Sequence, residues 1–167
     1  MYIQLLSILG LVVIDRVLKV YMTNLLSDVY RVDFIPGVIH FVYLENTGAS
    51  FGILQNATVL LSVVTFLVLL LLLYYIVSKR SSSRLLTISL VLITAGGIGN
   101  LYDRIVYGYV VDYIEFSFIN YAVFNFADTL VNIGAVMLFV YLIFFDRQII
   151  RNRDKTTVDD GDTDGDE

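Results

Sequence analysis

Residues Ala57–Val77 run for 21 positions without a charge and contain the unbroken aliphatic stretch Leu67–Leu73. A small soluble domain has no core large enough to cover a helix that is apolar on every side, whereas about 20 such residues match the hydrocarbon thickness of a bilayer. Lipid is therefore the solvent for which this chain is built. Two further runs fit when extended into flanking polar or aromatic residues: Leu85–Tyr102, with 18 uncharged residues, and Thr129–Phe145, with 17. Composition agrees, because a hydrophobic content of 57% exceeds the roughly 45–50% of ordinary soluble domains.

A first candidate span, Met1–Leu26, is interrupted by Asp15, Arg16 and Lys19. Its apolar pattern resumes beyond them, and it lacks both a basic leader and a small-residue cleavage site, so it reads as a retained helix rather than a signal peptide. Lys79, Arg80 and Arg84 lie between the second and third spans, and Arg147, Arg151, Arg153 and Lys155 follow the fourth. The positive-inside bias places both clusters in the cytoplasm. The expected fold class is an all-α membrane protein with four transmembrane helices, cytoplasmic N- and C-termini, and Ser27–Asn56 and Asp103–Asp128 outside. A membrane domain is expected over 1–153, with spans near 1–26, 57–77, 85–102 and 129–145. The remainder, Asp154–Glu167, holds seven acidic residues and one lysine, with no apolar residue after Val158. It reads as a disordered, solvated tail. That tail produces the net charge of −5, the rest of the chain being nearly neutral, so overall acidity carries no information about substrate.

A small β-containing part is expected outside. Val38–Leu44 follows a Pro36-Gly37 turn and is rich in β-branched and aromatic residues; Tyr109–Phe118 has the same character and can pair with it or lie flat at the interface.

Ionisable groups in or beside a span cost roughly 2.5–3.5 kcal/mol at a helix centre and point to function. Asp15 and Lys19 are four apart, on one helix face, in the order that favours an ion pair; a structural pair and a role in binding substrate both fit. Asp128 stands at the entry to the last span, where it can cap the helix. It can also act with Asp103, Asp112 or Glu115 from the same outer segment. Two carboxylates sharing one proton in a low-dielectric setting can activate water and polarise a carbonyl. Peptide hydrolysis by that route needs neither metal nor thiol, and no cofactor is expected. Cysteine is absent and His40 is the single histidine, which disfavours a zinc site. A calcium or magnesium site built from the four acids matches no known loop spacing. Gly96-Gly97-Ile98-Gly99 lacks the preceding strand and third glycine of a dinucleotide fingerprint, and reads as a helix-packing surface. His40 reads as a strand residue. The competing function is a small transporter or proton-coupled protein with a relay through Asp15, Lys19 and Asp128.

Four motifs, in order, resemble the lipoprotein signal peptidase (signal peptidase II) family of membrane aspartic endopeptidases: Asp15-x-x-x-Lys19; Asn46-Thr-Gly-Ala-Ser-Phe-Gly52; Gly96-Gly-Ile-Gly-Asn-Leu-Tyr-Asp-Arg104 with Val110-Val-Asp-Tyr113; and Phe124-Asn-Phe-Ala-Asp128. The resemblance implies a catalytic dyad of Asp112 and Asp128. The residues alone leave Asp103 open as the first member. It also implies that Asp15, Lys19, Asn46, Gly48, Gly97, Asn100, Asp103, Arg104, Val110, Asn125 and Ala127 line or support the site. The implied substrate is a diacylglyceryl-modified prolipoprotein, met within membrane lipid at the outer face of the bacterial inner or plasma membrane by a multi-pass monomer; no nucleic acid is involved. Ser50 stands where a second alanine is common in that family, and Arg16 where a glutamine often follows the aspartate. Neither position is expected to disturb the dyad.

Overall fold

The computed structural model describes residues 1–29, 31–48, 57–78, 83–118 and 123–146. Ala49–Gly52 of the second motif, most of the basic residues used for orientation, and the acidic tail lie outside them.

Four long helices and a small sheet make up the described chain. In order they are α1 (Tyr2–Leu26), β1 (Arg31–Ile35), β2 (Ile39–Asn46), α2 (Thr58–Ser78), α3 (Arg84–Tyr107), β3 (Val110–Phe116), β4 (Val123–Phe124) and α4 (Phe126–Tyr141), whose helical path widens into a π turn over Leu142–Asp146. Among the described residues, α2, α3 and α4 with its continuation to Phe144 are long and apolar enough to cross a membrane. With 25 residues α1 is equally long, but it carries three charges near its middle.

The packing follows from where small residues fall. α3 is the central helix and touches α1, α2 and α4. Gly96 lies directly against the Ala127 carbonyl and Val131 of α4, and a Cβ added at Gly99 would stand 2.5 Å from Asp15 Oδ2 of α1. Only a hydrogen leaves room at either point, so the glycine run is a helix-contact surface. One apolar core joins Ile8, Ile76, Leu90, Val91, Ala95 and Leu130 across all four helices. In α2, by contrast, only Leu69 and Ile76 are buried; Leu72 and Leu73 pack partly against that core, while Val59, Leu60, Val63, Leu67, Leu71 and Val77 are exposed as a lipid-facing helix requires.

The sheet is antiparallel throughout, in the order β1-β2-β3-β4. Gly37, at φ 74°, turns the β1–β2 hairpin in the left-handed conformation that glycine adopts without strain. β2 extends the strand expected at Val38–Leu44 to Asn46, and β3 pairs with it rather than lying flat. β1 and β4 were not anticipated. A second core of Met22, Leu26, Val111 and Tyr113 fastens the sheet to the end of α1. His40 is a buried strand residue whose Nδ1 and Nε2 bond Asp33 (2.6 Å) and Ser117 (2.5 Å).

Two placements differ from expectation. α3 continues to Tyr107, where Gly108 at φ 82° ends it with its N–H on the Arg104 carbonyl, so Asp103 is a helical residue and not part of the outer connection. Asp128 does not precede α4 but sits in its first turn, and the cap is Asn125.

Candidate active site

Asp112 comes from the middle of β3 and is 1% exposed. Its Oδ2 accepts the Asn46 amide of β2 at 2.8 Å, and its Oδ1 accepts the Asn125 amide at 2.7 Å. Asn46 is itself oriented, because its Oδ1 takes the Gly48 N–H at 2.9 Å. Val110 pairs with Asn46 in the β2–β3 register and is buried, which keeps that strand pair dry beside the carboxylate.

Asp128 arrives from α4. Asn125 caps the helix by accepting the Asp128 N–H at 2.8 Å, and Asp128 Oδ2 returns a bond to the Asn125 N–H at 3.2 Å. This is a capping box, with Asp in the position more often filled by Glu or Gln. The other Asp128 oxygen accepts the Asn100 amide at 2.7 Å. Asn125 Nδ2 also reaches Asn100 Oδ1 at 3.1 Å. A single asparagine, 0% exposed, thus touches both acids and the amide that holds the second one.

Behind this layer lies a buried ionic one. Asp15 Oδ1 accepts the Ala127 N–H at 3.0 Å, so α1 is tied to the first turn of α4. Lys19 Nζ lies 3.0 Å from Asp15 Oδ2, 2.8 Å from Asp103 Oδ2 and 2.9 Å from Asn100 Oδ1. Arg104 donates to the Gly48 carbonyl at 3.1 Å. The structural ion-pair reading of Asp15 and Lys19 therefore holds locally, and Lys19 also bonds the Asn100 side chain whose amide holds Asp128. Asp103 binds Lys19 and Arg16, while Glu115 pairs with Arg31 at 3.2 Å. Of the four acids in this part of the sequence, only Asp112 and Asp128 share Asn125.

Burial pushes the Asp112 carboxyl up to about 7, and the charge of Asp128 adds to that, while the Asn46 and Asn125 bonds pull it back. Burial likewise raises the Tyr113 phenol above its ordinary range; it stays protonated and accepts the Phe126 N–H at 3.2 Å. The lone pairs of the two carboxylates are met by amide N–H groups, a donor set that suits anions and leaves few oxygens turned toward a hard cation. A groove of about 270 Å³ opens beside Asp128. Val68, Leu69 and Leu72 of α2 form its apolar wall, Gly97 sits against Leu69, and Asn100 and Arg104 contribute polar atoms.

Sequence reasoning missed Arg16, Tyr107 and Tyr113 as neighbours of this network. The i,i+4 spacing of Asp15 and Lys19 was readable, but Arg16 and Asp103 are 87 positions apart and no local pattern joins them.

The sequence model of the signal peptidase (SPase) II family matches residues 7–144. The chain belongs to the signal peptidase II family. It is 41% identical over 143 residues to the lipoprotein signal peptidase of Clostridium novyi (strain NT), covering 84% of this chain and 97% of that one. To the lipoprotein signal peptidase of Clostridioides difficile (strain 630) it is 38% identical over 144 residues, covering 85% and 95%. A bacterial membrane enzyme solved by the in meso method at 2.3 Å superposes with a TM-score of 0.76 at 26% identity, covering 86% of this chain and 88% of that one. As a signal peptidase II family member with, among the described residues, three helices long and apolar enough to cross a membrane, the chain is a peptidase and a multi-pass membrane protein. That membership displaces the transporter reading.

Proposed function

We propose that this protein is an aspartic lipoprotein signal peptidase that cuts diacylglyceryl-modified prolipoproteins on the N-terminal side of the lipid-bearing cysteine. It acts as a monomer in the bacterial cell membrane. α1 is the fourth crossing, its charges covered by α3 and α4, the membrane domain spans 1–153, and the acidic tail lies beyond it. With both termini cytoplasmic, the sheet and the dyad face outward, at the level where a signal peptide's apolar helix ends.

Asp112 carries the shared proton and Asp128 is the general base. Asp128 takes a proton from water as its oxygen attacks the scissile carbonyl, and Asp112 gives its proton to the carbonyl oxygen. The tetrahedral gem-diol then collapses. Asp128 passes its proton to the leaving nitrogen, Asp112 recovers one from the gem-diol, and the products are a signal-peptide carboxylic acid and a free cysteine amine. No acyl-enzyme forms. The groove beside Asp128 receives apolar substrate.

One observation carries this reading: the Asn125 amide donates to Asp112 while the same residue forms the reciprocal cap with Asp128. Asp112→Asn and Asp128→Asn, purified in detergent and given a lipidated reporter, test it. Each is expected to insert, fold and bind substrate yet to cleave only at a residual rate far below wild type; a single variant that cleaves at a rate near wild type refutes the dyad.

A further inference from the structure

Arg16 lies in the middle of α1 beside membrane-level apolar residues, yet it is fully engaged. Its Nη1 is 3.0 Å from Asp103 Oδ1, its Nη2 donates to the Tyr107 hydroxyl at 2.6 Å, and its guanidinium carbon stands 4.8 Å and 5.4 Å from the ring centres of Tyr107 and Tyr102. Its planar, permanently charged guanidinium meets an acid, a phenol and two ring faces at once.

The importance of this contact lies in a charge count. Lys19 is 1% exposed and meets two acids, Asp15 and Asp103, which are equally buried. One lysine cannot neutralise two carboxylates. Asp103 Oδ2 faces Lys19 at 2.8 Å without an aligned hydrogen bond, so Asp103 relies on charge alone on that side. Arg16, half-buried at the edge of this group, supplies a second cation and brings the set of Asp15, Arg16, Lys19 and Asp103 to neutrality. Lys19 also holds Asn100 Oδ1, and the Asn100 amide holds Asp128.

We propose that Arg16 is a positioning residue of the dyad: by neutralising Asp103 it leaves Lys19 free to fix Asn100, and through Asn100 it sets the orientation and titration of the Asp112–Asp128 pair. This rests on the dyad reading above. The ionisable groups around the pair are Asp15 and Lys19 from α1, Asp103 and Arg104 from α3, Tyr113 from β3, and the two acids themselves. β2 offers the uncharged Asn46 there, while its His40 bonds Asp33 and Ser117 and its Glu45 bonds Tyr43. Arg16→Gln therefore leaves one uncompensated negative charge in the cluster of Asp15, Lys19 and Asp103 that reaches the dyad through Asn100.

Removing a cation near a carboxyl raises its titration. With an effective dielectric near 20 and a few hydrogen-bonded groups between, the displacement is about half to one pH unit. The pH–rate profile of R16Q for cleavage of a lipidated reporter in detergent is expected to move to higher pH by that amount, with the maximal kcat lowered several-fold by the loosened Asn100 and KM little changed. R16K, which keeps the charge, returns the profile to its wild-type position. R16Q/D103N, neutral by construction, does the same whatever its maximal rate, and decides the matter if R16Q alone does not fold. An R16Q profile in the wild-type position, or an R16Q/D103N profile displaced from it, overturns the proposal. The dyad reading is judged separately in the same assay: inactive D112N and D128N beside an unshifted R16Q sink only the role of Arg16.

Discussion

Replacing Asn125 by aspartate turns one NH2 group into an oxygen at the point where both carboxylates meet. The cap survives, because aspartate accepts the Asp128 N–H as well as asparagine does, and the shape is unchanged. What disappears is the 2.7 Å bond to Asp112 and the 3.1 Å bond to Asn100. A hydrogen bond to a charged group contributes about 1.5–3 kcal/mol and a neutral one about 0.5–1.5. If the loss falls on the transition state, about 2–4.5 kcal/mol slows cleavage by about 30-fold to about 2,000-fold. The new carboxylate also faces Asp112 and the Asn100 oxygen with no donor between them, so the trio must bind an extra proton. N125D is therefore expected to lose both activity and thermal stability as pH rises from 5 to 8, read as initial rates on a lipidated reporter and as unfolding temperature in detergent. Cleavage within a few-fold of wild type at neutral pH would show that Asn125 does not organise the acids.

The packing around α3 makes a second test. Gly99→Ala places a Cβ 2.5 Å from Asp15 Oδ2 and 3.4 Å from the Ala127 Cβ; Asp15 is pinned by Lys19 and Ala127, so overpacking costs about 1–3 kcal/mol, and cleavage falls at least about tenfold. Gly10→Ala, which meets nothing within 4 Å, leaves activity unchanged, and equal losses at both positions would contradict the packing argument. The pH dependence gives a third. Asp112 titrates near 7 in the folded protein against 3.8 ordinarily, so folding favours its protonated form; that stability is complete below pH 3.8 and is lost as pH rises through about 7, on the order of 4 kcal/mol. Unfolding temperatures between pH 5 and 8 should fall less steeply for D112N than for wild type, and parallel curves would remove Asp112 as the cause. Wild-type cleavage should decline over the same range as the shared proton leaves, and a rate that keeps rising beyond pH 8 argues against a protonated partner.

How far the sequence revealed this arrangement depends on the range of each interaction. The apolar runs of α2, α3 and α4 announce themselves, because lipid demands length and hydrophobicity and little else. β2 and β3 were visible in their β-branched and aromatic content. β1 was not: Arg31-Val-Asp-Phe-Ile alternates, but with only five residues, most of them exposed, it owes its strand to the neighbouring Ile39–Asn46 rather than to its own pattern. β4 is two residues long and exists only as a partner for β3. The candidate acids could be named, but Asp103 and Asp112 could be separated only by family resemblance. Their different partners, Lys19 and Arg16 for one and Asn46 and Asn125 for the other, are contacts across the fold that spacing along the chain does not encode. For the same reason capping stood as one of two readings of Asp128 when the cap is Asn125, three residues earlier, and Arg16 was read as a neutral departure from the family pattern.

The central claim is that Asp112 and Asp128 act as one unit, and groups that act together do not lose activity additively. Residual cleavage by D112N, D128N and the D112N/D128N double variant, measured at high enzyme concentration on one lipidated reporter, tests this most directly. The account predicts that the double variant is no slower than either single one. Losses that multiply in the double variant would mean the two acids work independently and would contradict it.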